Sequence, residues 1–145
     1  MATIISLNVS KTVGNKKQPV DDVILEPKHG IRGDAHARDW HRQVSLLAQE
    51  SIDKMSKQLP NLVPGSFAEN ITTSGLILKD LPIGTRLATD TIELEITQIG
   101  KKCHAKCNIF KEAGGCIMPE EGVFAKVIQG GVLSKGEELV VNRRP

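Results

Sequence analysis

The most regular alternation of apolar and polar residues lies in "TIELEITQI", Thr91–Ile99. Ile92, Leu94 and Ile96 face one way while Glu93, Glu95 and Thr97 face the other, the two-residue period of a half-buried strand. "TIISLNVS" near the start predicts a first strand, and "VILEP" a short one ending at Pro27. "GVFAKVIQ" and "GEELVVN" predict two more, with "GGVLSKG" as turn material between them. "FAENITTSGL" and "LPIGTRLAT" read as short strands and turns. "GNKKQPVDD" reads as a polar turn region, because Gly, Asn and Pro interrupt regular structure. "KHGIRGDAHARDWHRQ" follows no period and reads as a long ordered loop. From His41 to Leu59 the spacing of Val44, Leu47, Ala48, Ile52, Met55 and Leu59 predicts the main helix, stopped by Pro60. Many short strands and one main helix predict a mainly β chain: a closed or nearly closed barrel with short helical decoration.

The 145 residues suit one domain spanning residues 1–145, long enough to bury a core without disulfide or metal staples. Apolar residues make up 39 % and charged ones 25 %, the balance of a soluble globular chain. A net charge of +2 is too small to argue for nucleic acid, and 3 % aromatic residues leave few stacking platforms. "MATIISLNVSKTV" lacks the basic and long apolar regions of a secretory leader, and no apolar run reaches the roughly 20 residues of a membrane span. A cytoplasmic protein is expected. Its 3 cysteines, an odd number, exclude a complete intrachain disulfide framework.

All three thiols sit in "IGKKCHAKCNIFKEAGGC", as Cys103, Cys107 and Cys116. Metal binding is one reading: three thiolate donors, with His104 or His36 as a fourth, although a second C-x2-C-type knuckle is missing. A reactive thiol is another. Lys101, Lys102 and His104 flank Cys103, and positive charge favours a thiolate. The third reading is packing, since free cysteine is often a small buried hydrophobe.

The blocks "GIRGDAHA", "PGSFAENITTSGL", "LPIGTRL", "QIGKKCHAKCNIF" and "GGCIMPEEGVFAKVIQGG" stand in an order that resembles the MOSC domain. That family takes its name from the C-terminal domain of molybdenum cofactor sulfurase. The resemblance runs from about Val23 to Leu139 and is to the small stand-alone bacterial branch. It implies a β-rich barrel of the pyruvate-kinase type and a role in molybdenum cofactor metabolism. The position matching the family's cysteine, which carries sulfur or coordinates the cofactor's metal, is Cys103. Cys107 and Cys116 resemble features of the small branch and are accessory thiols. The sulfurase also has a pyridoxal-phosphate domain, and nothing of that size fits here.

The implied ligand is a molybdopterin with an anionic phosphate, holding molybdenum or tungsten. Cationic and hydrogen-bonding residues are needed around it, and Arg suits phosphate. Arg32, Arg38, Arg42, Lys101, Lys102, His36, His104 and Asn70 are the candidates. Lys101 and Lys102 cannot both face the site if the strand continues. Asp34 and His36 share a face if extended. Asp34 is read as bonding local backbone N–H groups, whereas His36 stays a site candidate because the resemblance includes "GDxH". Asn70 either bonds a pterin edge or fixes a loop, and fixing the loop is preferred. Glu69 either meets pterin donors or pairs with Arg32. The glutamates of "MPEEG" read as a solvated turn. Cys103 is expected within disulfide reach of Cys107 or Cys116, about 7 Å between Cα atoms, beside a basic pocket lined by Arg32 and His36.

These expectations describe a binding or carrier domain that holds cofactor or a persulfide at Cys103 and delivers it to a partner. The partner would be a molybdenum cofactor biosynthesis enzyme, a sulfur donor or a molybdoenzyme. A self-standing sulfurtransferase and a structural metal domain using all three thiols are the alternatives.

Overall fold

The computed structural model describes residues 2–12, 16–57, 62–100 and 117–142. Seven strands close a barrel: β1 (Ala2–Val9), β5 (Val44–Ala48), β6 (Ile71–Ser74), β7 (Arg86–Ala88), β8 (Glu93–Ile99), β9 (Val123–Gln129) and β11 (Glu138–Asn142). Around the wall the order is β1-β11-β7-β8-β9-β5-β6 and back to β1, with β2 (Gln18–Val20) added alongside β1. Closure comes from Ala2↔Leu139 and Thr3↔Glu138. It removes the open edges that invite foreign strands. All these pairings are antiparallel except β5 with β6. A second sheet, β10 (Gly131–Ser134), β3 (Asp22–Glu26) and β4 (Gly30–Ile31), lies beside the barrel.

The alternation read in β8 holds: Ile92, Leu94 and Ile96 are buried. They join Ile4, Leu7, Val44, Leu46, Ile71, Leu87, Val123, Ala125 and Leu139 in the main core. A smaller cluster of Leu47, Ile52, Phe67, Ile117, Met118 and Phe124 lies apart from it.

The expected helix from His41 to Leu59 is corrected. Val44–Ala48 form β5, and helix α1 covers only Gln49–Ser56. Every residue of "VSLLA" is buried, with Leu46 in the main core and Leu47 in the smaller cluster. A strand covered on both faces reads as a continuous apolar run and loses its two-residue signature. Running straight into an amphipathic helix, it mimics a longer helical period.

"GGVLSKG" is likewise not all turn. Gly131–Ser134 pair with Asp22–Leu25 as β10, and the turn is confined to Lys135 and Gly136. Gly130 lets the chain pass close to β3, since a Cβ there would stand 2.6 Å from the Leu25 carbonyl oxygen. In the expected polar turn, Gln18–Val20 pair with β1 as β2, and Pro19 sits on this short added strand.

On β6, the Thr73 hydroxyl is buried with no hydrogen-bond partner among the described residues. Its register neighbours are Ile4 and Ala48, both members of the main core. A buried hydroxyl without a partner costs about 1–3 kcal/mol. Thr73→Val is therefore expected to stabilise the fold by about 1 kcal/mol, read as a raised denaturation midpoint at unchanged slope. A loss of stability would show that the hydroxyl is satisfied.

Candidate functional site

The irregular segment from Arg32 to Gln43 connects β4 to β5, and Asp34 and Gln43 are its buried polar residues. Asp34 Oδ1 accepts from Lys17 Nζ at 2.7 Å and from the Ser10 N–H at 3.1 Å, while Oδ2 accepts the His36 N–H at 3.1 Å. Both side chains of the Lys17–Asp34 pair are fully buried. Burial alone would raise the Asp34 pKa. The Lys17 hydrogen bond and charge, with the two backbone donors, overcome it and hold the carboxyl below its usual value. Lys17 Nζ also stands 3.0 Å from His36 Nδ1.

Lys17 is fixed through its backbone as well, its N–H donating to the Gly65 carbonyl at 2.9 Å. Gly65 has φ +91°, and a Cβ there would lie 2.2 Å from the Lys17 carbonyl oxygen. Only glycine tolerates both the angle and the approach.

Trp40 anchors the next part of the segment by donating from Nε1 to the His36 carbonyl at 2.9 Å. Two guanidinium groups lie over its ring, Arg38 at 3.7 Å and Arg42 at 4.6 Å, and Arg42 lies 5.4 Å from the Phe124 ring. Among the described residues neither arginine makes an ion pair, and both guanidinium groups lie against aromatic faces. His41 Nε2 meets Gln98 Oε1 at 2.8 Å, and Gln98 Nε2 donates to the Gly100 carbonyl at 2.8 Å. With the Gln98 amide nitrogen spent on Gly100, its oxygen accepts and His41 carries hydrogen on Nε2. The Gly100 N–H donates to the Gly122 carbonyl at 2.7 Å. The described chain on the two sides of the cysteine segment thus meets at one place, with the arginine–tryptophan stack beside it.

Of the candidate residues, His36 falls in the Lys17–Asp34 cluster. Asp34 does bond local backbone, but it also holds Lys17. Arg32 does not share a partner with His36: its guanidinium is 60 % exposed and donates to Glu26 Oε2 at 3.0 Å. Arg32 does not meet Glu69 either. Glu69 is fully buried and accepts from the N–H groups of Gly65 and Phe67 and from the Thr72 hydroxyl. Burial nevertheless dominates and raises its pKa. Asn70 is fully buried, taking the Ser45 N–H on its amide oxygen and donating to the Asn8 carbonyl. Its amide fixes the strand junction. Lys101, Lys102, Cys103, His104, Cys107 and Cys116 lie outside the described residues, and with them the expected thiol spacing and the pocket at Cys103.

The "MPEEG" reading is corrected for Glu121. This residue ends the one-turn helix α2 (Met118–Glu121), and its side chain is 10 % exposed. It accepts from the Ser51 hydroxyl at 2.6 Å and pairs with Lys54, joining α2 to α1. A cavity of about 320 Å³ lies there, walled by α1, Gly75–Lys79 and Glu121. Lys17 also went unread, because a lysine in a polar run gives no pattern. The stack did leave a signal: in "ARDWHR" the chain's single tryptophan has an arginine two residues away on either side.

Among the described residues no three His, Cys, Asp or Glu side chains group to hold a metal ion. Among them, too, no helix is long and apolar enough to cross a membrane. Residues 30–140 match the family model of the MOSC domain. No curated protein matches the sequence. Among solved structures, the YuaD protein of Bacillus subtilis superposes with a TM-score of 0.82 at 18 % identity, covering 97 % of this chain and 94 % of that one. YiiM of Geobacillus stearothermophilus gives 0.76 at 22 % identity, covering 99 % and 76 %. YiiM of Escherichia coli gives 0.74 at 18 % identity, covering 100 % and 71 %. At these identities the likeness is one of fold.

Proposed function

Because the chain belongs to the MOSC domain family, which relates to molybdenum cofactor sulfurase-like proteins, we propose that it is a cofactor-binding or sulfur-carrier domain. In this reading Cys103 holds molybdenum or tungsten cofactor, or a persulfide, and delivers it to a partner. The partner is a cofactor biosynthesis enzyme, a sulfur donor or a molybdoenzyme.

One observation carries this reading: two arginines without carboxylate partners among the described residues are stacked on Trp40 and Phe124 beside the place where the chain enters and leaves the thiol segment. Buried or aromatic-held guanidinium groups keep their charge available for an anion. The residues present therefore fit a pterin phosphate, with Arg38 and Arg42 holding it and Lys101 and Lys102 adding positive charge in sequence. When bound, the cofactor supplies a metal centre open to a thiolate ligand. The chain's own contribution is the anion site and the nucleophilic sulfur.

The test is anaerobic purification followed by metal, pterin and sulfane-sulfur analysis. Either pterin with molybdenum or tungsten, or sulfane sulfur, is expected in amounts approaching one per chain. Arg42→Gln removes a charge-assisted hydrogen bond worth about 1.5–3 kcal/mol, a loss of tenfold or more in pterin affinity. Recovery of zinc or iron alone, bound by three thiols, would replace this reading with the structural metal domain.

A further inference from the structure

The cavity of about 320 Å³ beside Glu121 plays no part in the reading of Cys103, since Arg38, Trp40 and Arg42 are not among its described lining residues. Two ties hold its walls. Glu50 Oε2 accepts the Gly75 N–H at 2.8 Å, which fixes the chain leaving β6 against α1. Glu121 Oε1 accepts the Ser51 hydroxyl at 2.6 Å and its Oε2 pairs with Lys54, which fixes α2 against α1. Ala48, Leu76, Ile77 and Leu78 give the hollow its apolar lining, and Ile77 is 62 % exposed, a large apolar side chain left open to solvent. A preformed hollow with apolar walls and a few placed polar groups is the usual form of a small-molecule site. Such sites span roughly 300–1,000 Å³, so this one suits a small ligand.

The polar groups decide what kind of ligand. Desolvation alone would raise the Glu121 pKa. The hydrogen bonds from Lys54 and Ser51, with the charges of Lys54 and Lys79, overcome it and hold the carboxyl below its usual value. Glu121 is therefore ionised at neutral pH, and two ammonium groups share its Oε2. Lys54 takes the hydrogen bond, whereas Lys79 Nζ stands 3.7 Å away, beyond hydrogen-bond range. Among the described residues Lys79 makes no hydrogen bond, so its three donors are open to an acceptor. Glu50, the other acid of the lining, is engaged at Gly75. Two cations against one carboxylate leave a single excess positive charge beside Glu121. That matches a carboxylate, which carries one charge, better than a phosphate monoester, which carries nearly two. We propose that this cavity binds a small aliphatic monocarboxylate, with its carboxylate on Lys79 and Lys54 and its chain against Ala48, Leu76, Ile77 and Leu78.

Octanoate titrated into the full, nitrogen-15-labelled chain at neutral pH tests this by proton–nitrogen correlation NMR. The amide signals of Ala48–Lys54 and Gly75–Lys79 are expected to shift together and to saturate. 1-Octanol, which keeps the chain and lacks the charge, is expected to bind at least about threefold more weakly. Acetate, which keeps the charge and lacks the chain, is expected to bind at least about tenfold more weakly, because each buried CH₂ contributes about 0.8 kcal/mol. Lys79→Gln should weaken octanoate about threefold or more, and Lys79→Arg should stay near the parent. The proposal is overturned if octanoate shifts neither wall, if 1-octanol binds as tightly as octanoate, or if Lys79→Gln binds it like the parent. The comparison of octanoate with 1-octanol and acetate uses the unmutated chain, so a misfolded variant cannot obscure the answer.

Discussion

Lys17→Met is expected to lower folding stability by about 3–5 kcal/mol, because it leaves Asp34 as a buried carboxylate without its cation. The methionine fills the lysine stem's place, so lost packing is a small part of the effect. In the parent chain the Asp34 pKa is held below its unfolded value. The unfolded chain then binds more protons than the folded one between the two pKa values, and stability rises with pH across that acid window. Asp34 thus contributes stability that is complete above its unfolded pKa and is lost as pH falls through the folded one. Without Lys17, burial becomes the dominant influence on Asp34 and raises its pKa. The sign reverses: Asp34 then lowers stability as pH rises through the unfolded pKa. Urea denaturation of both chains at several pH values separates the two behaviours. Adding Asp34→Asn to Lys17→Met should recover part of the loss, because the unpaired charge is gone. A loss under about 1 kcal/mol, with the parent's acid slope retained, would mean that the pair is not buried as described.

That pair also marks where sequence reading stopped. The barrel strands were legible where one face is buried and the other wet, as in β8, whose glutamates alternate with core residues. Legibility failed at β5, where Leu46 and Leu47 serve two different clusters and no polar face remains to set the period. It failed again at β10, where Gly130 and Gly131 resemble a turn but let the chain pass close to Leu25 of β3 and to Thr91. In the site, His36 and the arginines were visible as residue types in an unpatterned segment. Lys17 was not, since its partner Asp34 is 17 residues away and only the folded chain brings them together. Glu121 is the same case at longer range, with Ser51 70 residues away. Pairings of this kind belong to tertiary structure, which a local period cannot encode.

Cys103→Ser is expected to abolish loading of cofactor or sulfane sulfur while leaving the fold in place. The two consequences separate because the described chain on either side of the cysteine segment is held without it. Ile99 pairs with Val123, and the Gly100 N–H donates to the Gly122 carbonyl. Ile117 and Met118 pack into the smaller cluster with Leu47, Ile52, Phe67 and Phe124. None of these contacts uses the thiol, so the stability change should stay within about 0.5 kcal/mol. The functional loss should be complete, because a serine hydroxyl is neither a thiolate ligand nor a persulfide carrier at neutral pH. Cys103 is singled out from its neighbours by charge. Lys101 and Lys102 precede it and His104 follows it, whereas Lys106 alone adjoins Cys107 and no cation adjoins Cys116, which favours the Cys103 thiolate. Cys107→Ser and Cys116→Ser should therefore still load, with a slower or incomplete release if the lost thiolate is the one that attacks the inner persulfide sulfur, forming a disulfide with Cys103 as the persulfide S–S bond breaks and hydrosulfide leaves. The measurement is bound pterin, metal and sulfane sulfur per chain in the three variants, alongside their denaturation curves. Full loading of Cys103→Ser, with loss in Cys107→Ser or Cys116→Ser, would move the reactive sulfur to the other end of the segment.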